Sequence, residues 1–451
     1  MSHVNKTFQS KKKWKLLMTF ILSLLSLLVI FNCRVSKEDD DISVDILSKL
    51  RELEGIVVTE LQSTNSQIRV FQIDMNQPLD HNYPGGQSFT QRVYLHHVDE
   101  SKPVVILTSG YIVSSTVFLE LAEIIGCNFL AVSQRFFADS RPDPLDWRYL
   151  TSAQASADYH EVVTLFKQIY NTKWISTGES KSGISALLHR FFYPNDVDAT
   201  VAYCVPLRLS LADWRYHPFL ASLGTAEDRD RIHAFLRRLL ENRGLMIDLF
   251  LSWFPENGLT LVEGVDPGRL FESFINDYEY NFWLTGWMDS TEIPGENASA
   301  EEMFDHLSEL ASFRNVDESE FMDFTRIPMY QGCTELGQRD YDISHIEDLL
   351  LYGKPDFSDL LVDIFGIEVT YNPALIQNLL NWINTNGNNI IFIYGANDPC
   401  TATAVELSGQ TNAVKIIVPD AHHDVRIRNL SAADREQVIS ALEEWLGIDI
   451  E

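Results

Sequence analysis

The chain has 451 residues, of which 45% are hydrophobic and 22% are charged. This length and composition can bury a large core, which excludes a disordered or fibrous protein. The formal net charge of −29 comes from 35 basic and 64 acidic residues, and it argues against nucleic acid as a partner because the phosphate backbone is itself negative.

The N-terminal segment is typical of an export signal. Four lysines between positions 11 and 15 precede an uncharged apolar stretch over 16–31, about as long as a signal-peptide core. Cys33 follows, and residues 30–33 resemble the lipobox of bacterial lipoproteins. We therefore expect residues 1–32 to be a lipoprotein-type signal peptide and the chain to be extracytoplasmic, with a lipid on Cys33 that anchors it to the outer membrane. An uncleaved anchor and plain secretion are the alternatives.

The next segments predict where the folded part begins. Residues 33–66 are polar and acidic, and we interpret them as a linker. Two alternating runs, at 69–74 and 91–96, then predict antiparallel strands. Strand and helix patterns alternate from there to about residue 206, so the segment 67–206 is predicted as the first part of an α/β core with a mostly parallel sheet and helices on both faces.

After Pro206 the strand pattern stops. Residues 207–326 show helical patterns, for example at 228–242 and 300–313, and they are rich in aromatic residues. This predicts a large helical cap inserted into the core. Strand patterns are expected to resume near residue 327, so that 327–451 form the second part of the core.

The turn from Gly178 to Gly183 has the form of a nucleophile elbow. Ser180 stands between a strand-like and a helix-like run, and a serine hydroxyl becomes a useful nucleophile when such a turn exposes it beside a base and backbone N–H groups. Gly178 occupies the first small position of the G-x-S-x-G pattern, whereas Ser182 occupies the second. An ordinary Gly/Ser turn before a helix is the alternative interpretation.

An acid and a base follow in the order Ser, Asp, His that such hydrolases use. Asp398 comes after the apolar strand-like run 389–394, and His423 comes after the β-branched run 414–418. Taken singly, the aspartate could be a turn residue and the pair His422 and His423 a solvated loop or a metal site. Ser180 and Asp398 are 398 − 180 = 218 residues apart, a separation that an inserted cap explains.

The same architecture predicts the oxyanion hole. One backbone N–H would come from Lys181, directly after the nucleophile, and the other from Tyr111 in the loop after the first parallel strand. We expect no cofactor, and no metal because the cysteine spacing matches no metal motif. Cys333 and Cys400 both fall near active-site loops, so a disulfide between them remains open.

Several separated segments together resemble the secreted tripeptidyl-aminopeptidase family of serine peptidases, a distant relative of the lysosomal prolyl carboxypeptidases. The segments are residues 77–81, 135–142, 146–151, 174–183, 192–198, 334–337, 397–399 and 423–427. The resemblance implies an α/β-hydrolase fold with a helical cap. It also implies a triad of Ser180, Asp398 and His423 that cleaves short peptides from the free N-termini of oligopeptides, often after proline.

Other features bear on this resemblance. The chain has Ser182 where relatives carry glycine, and Gln134 where they tend to carry histidine.

An aminopeptidase needs an anion for the substrate α-ammonium, and Glu335 and Glu179 are the candidates by position in or beside the motifs. A lipase or esterase, or a catalytically weakened peptide-binding surface lipoprotein, would share much of this pattern and are the alternatives.

Overall fold

The computed structural model describes residues 45–354, 366 and 368–450. The predicted signal peptide, Cys33 and the start of the predicted linker lie outside these residues. Within them, no helix combines the length and the apolar character that a membrane crossing needs.

Nine strands in the described residues form one sheet in the order β1-β2-β3-β5-β4-β6-β7-β8-β9. Their bounds are β1 Ile56–Leu61, β2 Arg69–Pro78, β3 Ser88–His97, β4 Val104–Thr108, β5 Asn128–Val132, β6 Trp174–Glu179, β7 Ala199–Tyr203, β8 Ile390–Gly395 and β9 Val414–Val418. The first three strands and the β3·β5 pair are antiparallel, and all later pairs are parallel. The predicted mostly parallel sheet is therefore confirmed.

The central strands are buried on both faces, which explains their continuous apolar sequence. In β8, Ile391 and Ile393 pack into the core on one face, and Phe392 and Tyr394 pack into the core on the other. Helices cover both faces, because successive side chains of a strand point in opposite directions.

The helices have the following bounds: α1 Ile46–Glu52, α2 Glu120–Ile125, α3 Ser152–Phe166, α4 Lys181–Phe192, α5 Tyr216–Leu220, α6 Ala226–Glu241, α7 Arg243–Glu256, α8 Pro267–Thr285, α9 Ala300–Leu310, α10 Ile327–Gln331, α11 Ala374–Thr385 and α12 Ala432–Leu446. Helices α2 and α12 pack on one face of the sheet, and α3, α4 and α11 pack on the other. Helices α5 to α10 lie between β7 and β8 in the chain.

Helices α6 to α9 have an apolar core of their own, whose buried residues run from Leu223 to Ile346. Phe254, Phe282 and Trp283 are buried in it, whereas Trp287 is exposed. These helices form the cap. Their core extends past residue 326, and residues 327–336 are helical instead of strand-forming. Among the residues described after β7, the next sheet strand is β8, so the boundary expected at 326 falls inside the cap.

The segment expected to be a linker also differs from the prediction. Helix α1 packs Ile46 and Leu50 into the core, and β1 pairs with β2 at the edge of the sheet. The residues of β1 are all partly or fully exposed. Such an edge strand has no clean apolar alternation, which is why the sequence pattern resembled a linker.

Candidate active site

Ser180 occupies a strained turn between β6 and α4. Its φ of 55° and ψ of −124° fall in a sparsely populated region that costs about 1–3 kcal/mol and is concentrated at functional sites. A Cβ on Gly178 would lie 2.2 Å from the Ser182 carbonyl oxygen, and one on Gly183 would lie 2.4 Å from a Val205 methyl group. Both glycines are therefore needed for the turn to close. The turn presents Ser180 to a cavity.

Asp398 and His423 form a hydrogen-bonded pair beside this turn. The Nδ1 atom of His423 lies 2.9 Å from Oδ2 of Asp398. Asp398 is fully buried at the end of β8, where its other oxygen accepts the backbone N–H of Cys400 at 2.9 Å. The Nε2 atom of His423 lies 3.7 Å from Glu179, the residue before Ser180. The Nε2 side of the imidazole therefore faces the strand end that leads into the elbow.

His422 points to the cap instead. Its Nδ1 donates to the Trp283 carbonyl at 2.6 Å, and its ring packs so closely on Gly286 that a Cβ there would lie 2.4 Å away. The structure places His423 against Asp398.

The pKa of His423 lies well above the usual value. Burial works against the charged imidazole, but the neighbouring Cys400 and the hydrogen bond to Asp398 outweigh it. Asp398 thus favours the imidazolium, the form that a general base takes after accepting a proton.

The loop from Ser109 to Tyr111 lies against the elbow, where the oxyanion hole is expected. The Gly110 N–H donates to Ser182 Oγ at 2.9 Å, and the Tyr111 N–H donates to Ser109 Oγ at 3.0 Å. The predicted donor Tyr111 is therefore engaged within its own loop, because a serine hydroxyl readily accepts an N–H two residues on. Lys181 is the first residue of α4, so its backbone N–H has no acceptor within the helix.

The side chain of Lys181 is buried beneath the same loop. It donates to the Gly110 carbonyl and, at 2.7 Å, to Oε1 of Gln134. Its ammonium also lies over the rings of Tyr111 and Phe137, at 4.6 and 4.7 Å from their centroids. Burial holds the pKa of Lys181 well below its usual value. Gln134 thus contacts the Lys181 side chain, and Ser182 contacts the loop at Gly110.

The two carboxylates predicted to anchor the substrate have other partners. Glu179 pairs with Arg426 and lies beside His423. Glu335 accepts the backbone N–H and the hydroxyl of Ser152, each at 2.7 Å, and burial raises its pKa although these bonds oppose the rise. Neither residue lines the cavity in front of Ser180.

That cavity has a volume of about 440 Å³, within the usual range of about 300–1,000 Å³ for small-molecule pockets. Ser180 and Tyr111 line it from the core, and residues of α8 and of the segment 312–341 line it from the cap. Among the described lining residues, Asp277 is the one with a carboxylate. The basic lining residues are Lys181, Arg208 and Arg339. Sequence reasoning missed Arg208, Asp277 and Arg339. Arg208 could have been suspected because it follows a parallel strand, but Asp277 and Arg339 carry no local signal.

Cys204, Asp398 and His423 are the one group of described side chains close enough to share a metal, with ligand atoms within 4.8 Å of one another. Burial raises the pKa of the Cys204 thiol, which disfavours the thiolate that a metal would require. This group therefore fits a catalytic pair better than a metal site. Cys127, Cys204, Cys333 and Cys400 are buried thiols, so the bridge left open between Cys333 and Cys400 is not formed.

Comparison with known proteins gives a match over nearly the whole chain. Residues 39–450 match the family model described as PS-10 peptidase S37. A prolyl tri/tetrapeptidyl aminopeptidase from Streptomyces mobaraensis is 28% identical over 410 residues, which cover 90% of this chain and 85% of that protein.

Solved structures of similar fold share little sequence with the chain. A proline iminopeptidase from Mycobacterium smegmatis aligns with a TM-score of 0.38 and 14% identity, over 83% of this chain and 97% of that one. Acetyl xylan esterase 1 from Thermoanaerobacterium sp. JW/SL YS485 aligns with a TM-score of 0.37 and 11% identity, over 86% and 87%.

Proposed function

Because this chain belongs to the PS-10 peptidase S37 family and is a serine peptidase of α/β-hydrolase fold, we propose that it releases short peptides, principally tripeptides, from the free N-termini of oligopeptides. Cleavage after proline is part of the proposal, since the relative from Streptomyces mobaraensis is a prolyl tri/tetrapeptidyl aminopeptidase. The observation that carries the proposal is the Asp398–His423 pair beside the Ser180 elbow.

In the proposed mechanism, Ser180 attacks the scissile carbonyl while His423 takes the hydroxyl proton. His423 then returns the proton to the leaving amine, and water repeats the sequence to release the acyl group. Asp398 holds the imidazole through Nδ1, so that Nε2 is the nitrogen that exchanges the proton. The Lys181 N–H would bind the oxyanion, with the Tyr111 N–H as second donor once it leaves Ser109 Oγ.

The cap supports the preference for short peptides. A cavity of about 440 Å³ between the elbow and the cap is large enough for a few residues of a substrate. A folded chain could not enter it, because cap residues between 270 and 341 line the side opposite Ser180. An endopeptidase would need a groove that is open at both ends.

The binding site of the substrate α-ammonium is a separate part of the proposal. Glu335 is one candidate because only one of its oxygens accepts from Ser152 and because the neighbouring Leu336 and Gly337 line the cavity. Glu179 is less suitable, since Arg426 already neutralises it. Asp277 is the rival because it lines the cavity itself, although Arg339 and Tyr341 contact one of its oxygens.

We also propose that the chain is exported and carries a lipid on Cys33. The support is the basic and apolar sequence before that cysteine and the acidic residues after it. Incorporation of a labelled fatty acid by the wild type and not by Cys33→Ala would support the anchor, and equal labelling of both would exclude it.

The proposed activity is tested with a fluorophosphonate probe and with matched fluorogenic substrates. We expect Ser180-dependent labelling and turnover of Ala-Ala-Pro-aminocoumarin with a free N-terminus. Turnover of acyl esters alone would indicate an esterase. Absence of labelling, with peptide binding retained, would indicate a binding protein.

A further inference from the structure

The cavity in front of Ser180 carries more positive than negative charge. Two arginines and one lysine of lowered pKa line it, against one lining carboxylate among the described residues. The Lys181 ammonium is turned under the loop at Gly110, and Arg339 pairs with Asp277. Arg208 also lines the cavity, and no carboxylate in the described part of the chain pairs with it.

Arg208 is nevertheless held in a fixed position. Its Nε donates to the Tyr216 hydroxyl at 3.0 Å, and its guanidinium lies 5.8 Å from the centroid of that ring. Tyr216 is fully buried. On the other side, Gly337 packs so closely that a Cβ there would lie 2.8 Å from the Arg208 Cβ. The stem and the Nε atom of Arg208 are thus held in place, and Arg208 lines the cavity.

Arg339 lies near Arg208 on the same wall of the cavity. The rings of Tyr216 and Tyr280 are 6.0 Å apart, and the Arg339 guanidinium lies 4.2 Å from the Tyr280 centroid. The Nε atom of Arg339 is buried and has no hydrogen-bond partner in the described structure. A buried donor without a partner loses free energy, so this wall contains Arg208, which lacks a carboxylate among the described residues, beside Arg339, which keeps an unused donor.

We propose that Arg208, assisted by Arg339, binds a carboxylate of the substrate, and that the enzyme therefore prefers an acidic residue in the peptide segment that it releases. A guanidinium binds a carboxylate through two parallel hydrogen bonds, which a neutral amide cannot match. The inference rests on the proposed function, because it assigns the carboxylate to a peptide that is cut at Ser180. The same chemistry could come from the α-carboxylate of a short peptide.

Peptide binding to the Ser180→Ala protein separates these possibilities without turnover. Titration calorimetry would compare peptides with glutamate or glutamine at the second residue (Ala-Glu-Pro-Ala against Ala-Gln-Pro-Ala) and at the first (Glu-Ala-Pro-Ala against Gln-Ala-Pro-Ala), each with an amidated C-terminus. We expect glutamate to bind at least about tenfold more tightly at one position, which corresponds to about 1.4 kcal/mol. The same peptides with a free C-terminus test the α-carboxylate as the source.

The matched variants are Arg208→Met, which keeps an apolar stem, and Arg208→Lys, in the Ser180→Ala background. We expect the glutamate preference to disappear in the first and to return in part in the second. Arg237→Met is the control, because Arg237 pairs with Asp348 on the surface and does not line the cavity. It should keep the full preference.

The inference is overturned by equal affinity for glutamate and glutamine peptides, by a preference that survives Arg208→Met, or by a dependence on the free C-terminus alone. An equal loss for both peptides in Arg208→Met would mean that Arg208 serves a peptide carbonyl, and would also overturn it. If no peptide binds at all, the proposed function itself fails. The two failures are therefore distinguishable.

Discussion

Ser182 Oγ accepts a hydrogen bond from the backbone N–H of Gly110 at 2.9 Å. This bond joins the turn that carries Ser180 to the loop that follows β4, and it uses the residue at the second small position of the G-x-S-x-G pattern. The serine is therefore accommodated by the elbow and has a partner there.

Ser182→Ala should lower kcat about tenfold, because the Gly110 N–H loses its acceptor and the loop near the oxyanion loses a fixed point. KM should change little, since the cavity that holds the peptide is intact. Steady-state kinetics on a tripeptide substrate measures both constants. An unchanged kcat would show that the bond does not position the loop.

Ser180→Ala should reduce turnover on the order of 10³-fold or more, because triad members act as a unit. The fold should persist, since the hydroxyl makes no bond that the turn requires, and circular dichroism with thermal unfolding provides the control. Retained turnover in a folded variant would remove Ser180 as nucleophile.

His423→Ala should be as damaging as the serine change, whereas His422→Ala should leave most activity. His422 bonds the cap through the Trp283 carbonyl, so its loss should cost about 1 kcal/mol of stability and lower the unfolding temperature. Parallel kinetics and thermal melts of the two variants check this ranking. The opposite ranking would make His422 the base.

Activity should rise with pH, with a midpoint above 6.5. The base must be neutral to accept the Ser180 proton, and the pKa of His423 is raised above 6.5, so the neutral form becomes dominant only at higher pH. Asp398→Asn should move the midpoint of this pH dependence to lower pH, because a partner of the imidazolium is removed. It should also lower kcat. A pH profile of kcat/KM that falls between pH 6 and 8 would contradict the assignment.

Acetylation of the substrate N-terminus should suppress cleavage strongly, since the anchoring carboxylate would lose its charged partner, at a cost of about 2–5 kcal/mol. The anchoring carboxylate is identified by measuring cleavage of free and acetylated peptides by Glu335→Gln and by Asp277→Asn. The variant that cleaves both peptides equally well is the one that lacks the anchor. Equal cleavage of both peptides by the wild type would refute an aminopeptidase but not a serine hydrolase.

The sequence by itself determined the sheet and the order of the reacting groups. Strands such as β4 and β8 are short, continuous apolar runs, and parallel strands bring the loops at their carboxyl ends to one edge. The loops that carry Ser180, Asp398 and His423 were therefore predictable as neighbours although the cap separates the first two. The Gly-x-Ser turn is likewise local at Gly178, where the missing Cβ leaves room for the Ser182 carbonyl oxygen.

Tertiary structure alone decided what surrounds these groups. Glu335 turns to Ser152 and Glu179 turns to Arg426, whereas Asp277 and Arg339 reach the cavity from cap segments with no motif. Side-chain partners of this kind depend on packing between segments far apart in the chain, which no local periodicity encodes. The edge strand β1 was missed for a related reason: its support comes from pairing with β2 and not from an apolar pattern of its own.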